Sequence, residues 1–115
     1  MKTSEIAMRL TELCRKNEFV QAEKELYDAN VVHIETDGTA FRGIDDVMQK
    51  EVDFLKQLKS PPVTQVSEPL VAGNYFTIRL KMQCDHNQRG KIDLDELLVY
   101  KVADGKIIYL ICYVG

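Results

Sequence analysis

The sequence predicts one α+β domain, with three helices packed on a strongly curved antiparallel sheet whose inner face encloses a pocket. Its 115 residues suit a single domain with a single core, and we assign residues 1–115 to it. Apolar residues recur at helical spacing in the first half and alternate with polar residues after Pro62. Helices followed by hairpin-connected strands are typical of the α+β class.

Two helices are predicted first. Thr3 and Ser4 are expected to cap the first helix, and Asn17 is expected to end it. Its apolar face carries Ile6, Leu10, Leu13 and Cys14. The second pattern joins Phe19, Ala22, Leu26 and Tyr27, and residues 28–30 are expected to break it.

A short strand and a third helix follow. Residues 31–36 are rich in β-branched side chains and end at an Asp37-Gly38 turn, which predicts a strand. Gly43 is expected to open a helix that Pro61 and Pro62 stop. One face of this helix carries Ile44, Val47, Met48, Glu51, Leu55 and Leu58.

The remaining chain predicts long strands. Residues 63–68 form a candidate strand, with Pro69 at an edge or bulge. Residues 76–84 and 92–102 alternate around a polar loop at 85–90, and Asp104-Gly105 predicts a tight hairpin. Residues 107–114 are apolar in both phases, which predicts a central strand buried on both faces.

Composition excludes several classes of function. A net charge of −3 does not favour nucleic acid or an anionic membrane as a partner. No apolar run approaches the roughly 20 residues that span a bilayer, and the polar start lacks a signal core, so we predict a cytoplasmic protein. Three unpaired cysteines and the absence of nucleotide motifs predict neither disulfide nor cofactor.

Glu96 is the most informative residue. It shares the phase of Leu94, Leu98 and Tyr100, the face expected to be buried. Burial raises the pKa of a carboxyl, which can then donate a proton near neutral pH. Two alternatives stay open: a β-bulge near Asp95 exposes Glu96, or Glu96 pairs with Arg79 or a lysine on a neighbouring strand.

His33 and Glu35 form a second candidate site. Two residues apart on a strand, they project from one face and could act as a base and its partner. The alternative is that Val32 and Ile34 face the core while His33 and Glu35 face solvent. With Glu96 they also form a possible ligand set for a metal, but the spacing supports this weakly and we predict no bound metal.

Five further residues are predicted to contact a ligand. Inward-facing tyrosines can donate a phenolic hydrogen bond to a ligand carbonyl, and the alternative for each is packing alone. The predicted ligand-binding residues are Tyr27, Tyr100, Phe54, Phe76 and Met82.

Three local phrases together resemble the nuclear transport factor 2-like superfamily, and in particular its SnoaL-like branch. Residues 26–32 are similar to that family's second helix and first strand, and residues 41–46 to its glycine turn before the third helix. Residues 99–107 are similar to its penultimate strand and final hairpin. The resemblance covers nearly the whole chain.

The resemblance implies a cone in which a curved sheet wraps around a long helix and leaves a pocket. Members include ketosteroid isomerases, polyketide cyclases and non-catalytic transport factors. It places Glu35 at or beside the isomerases' proton-abstracting carboxylate, and Glu96 near their protonated acid. Residues 6–19 contain no counterpart of the isomerases' tyrosine donor, and His33 lies on a different strand from the cyclases' histidine.

Three hypotheses follow. In the first, an enzyme uses Glu35 and Glu96 for acid–base chemistry on a small apolar carbonyl compound, as in isomerisation, cyclisation or dehydration. In the second, the pocket only binds its ligand. In the third, the outer sheet face around Leu97 and Val99 forms a homodimer, which is compatible with either role.

Overall fold

The computed structural model describes all 115 residues and gives three helices and seven strands. In chain order they are α1 (Thr3–Arg15), α2 (Phe19–Leu26), β1 (Tyr27–Ile34), β2 (Ala40–Arg42), α3 (Ile44–Lys56), β3 (Val63–Val66), β4 (Leu70–Ala72), β5 (Tyr75–His86), β6 (Gly90–Ala103) and β7 (Lys106–Val114). The predicted α+β class and the three N-terminal helices are confirmed.

The sheet is a single open layer in the order β2-β1-β7-β6-β5-β3, with β4 also paired to β5. β5, β6 and β7 pair antiparallel, as predicted. β1, however, pairs with β7 in parallel, so the sheet is mixed rather than wholly antiparallel. The two edges do not pair with each other, so the cone is not a closed barrel.

Two element boundaries differ from the prediction at the N-terminal side. Thr3 and Ser4 lie within the first turn of α1, whose N-cap is Lys2, and the Lys2 backbone N–H donates to Glu5 Oε1 at 2.8 Å. Residues 28–30 lie inside β1 rather than in a loop. The strand tolerates them because its pairing with β7 shifts register between Tyr27 and Val32.

The prediction missed two short strands. β2 and β4 have three residues each, which is too few for an alternating pattern to stand out. Pro69 falls between β3 and β4, both of which pair with β5, so its position outside the ladder is as expected. The loop between β5 and β6 is shorter than predicted and spans residues 87–89.

β7 lies between β1 and β6, which confirms its central position. It is not buried on both faces, however: Ile107, Leu110 and Cys112 are buried, while Tyr113 on the opposite face is about half exposed. The outer face of the sheet carries no helix, so its apolar side chains stay accessible. The Asp104-Gly105 hairpin is confirmed, with both residues at positive φ.

One core joins the helices to the concave face of the sheet. It contains 21 buried residues, among them Ile6 and Leu10 from α1, Val47 from α3, and Phe76 and Ile78 from β5. Each large side chain buried in this way contributes about 1.5–3 kcal/mol from apolar transfer. No helix combines the length and apolar character needed to cross a bilayer.

Candidate ligand-binding cavity

A cavity of about 640 Å³ opens between the helices and the concave face of the sheet. Of the 26 residues that line it, 16 are hydrophobic, so a ligand would meet a mostly apolar wall. The sheet contributes Leu80, Met82, Leu94, Leu98 and Leu110, and the helices contribute Leu10, Phe19 and Phe54. A small number of charged side chains interrupt this wall and decide its chemistry.

Glu96 lines the cavity from β6. The β5–β6 ladder runs without a register shift and pairs Glu96 with Leu80, so no bulge turns it outward. Arg79 instead binds Asp95 on the opposite face, with Nε–Oδ1 at 2.9 Å and Nη2–Oδ2 at 2.7 Å. Glu96 also forms no salt bridge with a lysine on a neighbouring strand, so the bulge and the pairing with Arg79 or a lysine are both absent.

Burial raises the pKa of Glu96 to about 7, with the carboxylates of Glu35 and Glu51 adding to the shift and Lys50 opposing it. At neutral pH this carboxyl is thus divided between its acid and its ionised form. The same position can therefore donate or accept a proton within the physiological range.

His33 and Glu35 also line the cavity, since Val31, His33 and Glu35 share the inward phase of the chain around β1. Glu35 Oε1 lies 2.8 Å from Lys50 Nζ, which α3 projects into the cavity. Glu35 Oε2 lies 3.5 Å from His33 Nε2. Burial lowers the pKa of Lys50, but its hydrogen bond and charge interaction with Glu35 outweigh this, so the net pKa is raised and Lys50 stays charged.

His33 is neutral at pH 7, because burial and then the Lys50 charge lower its pKa. Its Nε2 lies 3.2 Å from Cys112 Sγ, and its Nδ1 is buried without a hydrogen-bond partner in the protein. Burial also raises the pKa of Cys112, so this thiol stays protonated. A neutral imidazole in contact with Glu35 orients the carboxylate without cancelling its charge.

Donor atoms of His33, Glu35 and Cys112 all lie within 4.8 Å of one another, a spacing that could hold a metal ion. The sequence did not predict this set, because Cys112 lies at the far end of the chain. Lys50 already occupies one oxygen of Glu35, and its charge opposes a second cation there. The cluster is accounted for as a network of hydrogen bonds and one ion pair.

Four of the five predicted ligand-binding residues line the cavity: Tyr27, Tyr100, Phe54 and Met82. Phe76 does not. It is 2% exposed and stacks on Tyr100 with ring centroids 4.6 Å apart, so it supports the wall from behind. Burial raises the pKa of both tyrosines, which keeps their hydroxyls protonated.

Sequence reasoning assigned no site role to several charged residues that line the cavity, among them Glu23 on α2, and Lys50 and Glu51 on α3. A signal was available for two of them. Glu23 lies four residues after Phe19 and Glu51 four after Val47, so each glutamate falls on the apolar face of its helix. Like Glu96 on its strand, each of these glutamates interrupts an apolar face and is therefore expected to be buried.

The profile of the SnoaL-like domain family matches residues 1–112, and the chain belongs to this family. No functionally curated protein matches it significantly. Among solved structures, a candidate SnoaL-like polyketide cyclase from Mesorhizobium loti superposes with a TM-score of 0.88 at 24% identity, over 98% of this chain and 99% of that one.

A cystatin-like protein of unknown function from Xanthomonas campestris superposes with a TM-score of 0.80 at 14% identity, over 100% of this chain and 92% of that one. A candidate SnoaL-like polyketide cyclase from Jannaschia sp. CCS1 gives 0.79 at 13%, over 99% and 87%. The family match confirms the predicted SnoaL-like branch, and the likenesses to solved structures confirm the fold. They do not define a reaction.

Proposed function

We propose that the cavity binds a small, mostly apolar compound with a carbonyl group and catalyses proton transfer beside that carbonyl. The observation that supports it is the pairing of two carboxyls in different states in one apolar cavity. Glu35 forms an ion pair with Lys50, whereas burial raises the pKa of Glu96 to about 7. A pair of this kind supplies both the base and the acid that enolisation needs.

Each residue has a distinct role in this proposal. Glu35 Oε2, the oxygen not bound to Lys50, takes the proton from the carbon beside the carbonyl, and the C–H electron pair moves into the forming C=C bond. The carbonyl oxygen gains negative charge, which the Glu96 O–H stabilises by donating a hydrogen bond or its proton. Returning the proton to a different carbon gives an isomer, and His33 orients Glu35 throughout.

The test is exchange of the protons beside the carbonyl of 2-tetralone in D₂O, followed by NMR and corrected for exchange without protein. Glu35→Gln should reduce the protein-dependent rate at least about 100-fold, because it removes the base while preserving shape. Glu18→Gln, an exposed change at the N-cap of α2, is the control. Binding of tetralone with no exchange by the wild type would instead identify a non-catalytic pocket.

The pH profile tests Glu96. A group that acts as the acid is active when protonated, so the rate should fall as pH rises through about 7. Glu96→Gln should lower the rate and remove this limb of the profile. A limb that persists in Glu96→Gln would assign the titration to another group.

We also propose that the protein forms a homodimer through the outer face of the sheet. Leu97 on β6 pairs directly with Tyr113 on β7, and these side chains are 49% and 51% exposed. Val99 and Ile111, the next outward pair, extend the apolar strip. A second copy would bury this strip.

Sedimentation velocity at micromolar concentration should therefore show a dimer, and Leu97→Glu should convert it to a monomer because the charge would be buried at the interface. Met8→Glu, which changes an exposed apolar residue on α1, should leave the dimer intact. A monomeric wild type would refute this proposal and leave the proposal for the cavity unaffected.

A further inference from the structure

The proton-transfer proposal does not use Glu23 and Glu51, two carboxyls that reach the cavity from α2 and α3. Glu23 is only 6% exposed. Neither side chain forms a salt bridge; the one cation of the cavity that does, Lys50, is bound to Glu35. Because no counter-ion is bound to these two buried acids, something else must stabilise them.

The two carboxyls interact with each other. Burial raises the pKa of Glu23 to about 9, with the charge and hydrogen bond of Glu51 adding to the rise and the charge of Lys50 opposing it. Burial also raises the pKa of Glu51, against the opposing effects of Lys50 and of the hydrogen bond with Glu23. Glu23 is therefore the protonated member of the pair at neutral pH.

One oxygen of this pair lacks a hydrogen-bond donor. Glu23 Oε1 is buried and has no partner in the protein. A buried acceptor left without a donor is destabilising, so a fold that needed only to fill this space would place an apolar side chain there. Glu23 lines the cavity, so a rotation of its carboxyl would present this oxygen to a bound molecule.

We propose that Glu23 and Glu51 form a second subsite, which binds a hydrogen-bond-donating group of the ligand, a hydroxyl or a protonated amine. Since the carbonyl end rests on the proposed function of Glu35 and Glu96, the substrate class becomes a hydroxylated or aminated carbonyl compound. The ligand contacts both groups of polar residues, and its apolar body packs on the apolar lining, which includes Leu80, Met82 and Phe54.

The test uses probes without a carbonyl, so that it is independent of catalysis. 2-Naphthylmethanol and 2-naphthylmethylamine carry a donor, whereas 2-(methoxymethyl)naphthalene has a similar shape and none. At least one donor probe should bind with a Kd about tenfold or more below that of the ether, as measured by calorimetry. The alcohol and the amine separate a neutral from a cationic preference.

Glu23→Gln should reduce this preference to less than about threefold, because the amide can turn a donor towards the cavity. Glu51→Gln provides a second variant that alters the same hydrogen bond from the other helix. Glu18→Gln should keep the preference, which separates the subsite from surface charge. Thermal unfolding confirms that each variant is folded.

Equal affinity for the alcohol, amine and ether overturns the subsite, as does the absence of binding by all three. A donor preference that survives both Glu23→Gln and Glu51→Gln overturns it too. Tetralone has no donor group, so its exchange reports only on Glu35 and Glu96. Exchange of tetralone protons without a donor preference would support the proposed function and refute this subsite. A donor preference without exchange would support the subsite and refute the proposed function.

Discussion

Two groups of buried carboxyls in the cavity are stabilised by different means. In the first, Lys50 lies 2.8 Å from Glu35 and supplies a positive charge. In the second, Glu23 and Glu51 form no salt bridge, and burial raises the pKa of both. A counter-ion leaves a carboxylate able to act as a base, whereas a raised pKa favours the neutral acid. In our proposals the first group carries out proton transfer and the second binds a donor group of the ligand.

The largest effect is expected from removing Lys50, the cation that pairs with Glu35. Lys50→Met keeps much of the aliphatic length but leaves Glu35 uncompensated in an apolar wall. We expect a loss of about 2 kcal/mol in the free energy of unfolding, less than for a fully buried pair because both side chains are about 30% exposed. Urea unfolding at pH 7 measures this.

Lys56→Met, at the exposed C-terminal end of α3, is the matched control for this change and should alter stability by less than about 0.5 kcal/mol. Proton exchange on tetralone should also fall in Lys50→Met, since Lys50 positions Glu35. Equal stability of Lys50→Met and Lys56→Met would show that Lys50 does not compensate the charge of Glu35.

Removing an acid from the Glu23–Glu51 pair should have the opposite effect and increase the free energy of unfolding. The folded-state pKa of Glu23 is about 9, against 4.5 for an ordinary glutamate, so folding is most favourable below pH 4.5 and loses stability as pH rises towards 9. Glu23→Gln removes this loss. We expect a gain on the order of 1–2 kcal/mol at pH 8 and little change at pH 4.5.

Unfolding curves at several pH values should then show a flatter dependence of stability on pH for Glu23→Gln than for the wild type. Part of the slope should remain, because Glu51 and Glu96 also have raised pKa values. Glu18→Gln should follow the wild type. Parallel curves for Glu23→Gln and the wild type would show that Glu23 ionises normally in the folded protein.

The smallest effect is expected one residue away from the cavity. Asp95→Asn breaks a surface ion pair with Arg79, and such pairs contribute less than about 1 kcal/mol. Proton exchange and its pH profile should be unchanged, in contrast to Glu96→Gln. A loss of exchange in Asp95→Asn would mean that charge on the outer face acts on the cavity.

Local periodicity predicted the long elements and the inward phase of Glu96, because a side chain's face depends only on its neighbours in the chain. Depth within the cone depends on the whole fold. Phe76 and Met82 share a phase on β5, yet Phe76 packs behind the wall and Met82 lines the cavity. The contact between His33 and Cys112 was equally hidden, since it depends on the parallel pairing of β1 and β7.

That parallel pairing also governs how the molecule assembles. β7 is the only bridge between the β1–β2 pair and the strands β3 to β6, and it joins segments from nearly opposite ends of the chain. Contacts of such long sequence separation are slow to form because the intervening chain must first be closed into a loop. Until β7 pairs with β1, the two parts of the sheet have no common edge and the contact between His33 and Cys112 is missing. We therefore expect the wall of the cavity to be completed only when the β1–β7 pairing forms, and a chain without that pairing to bind ligand weakly.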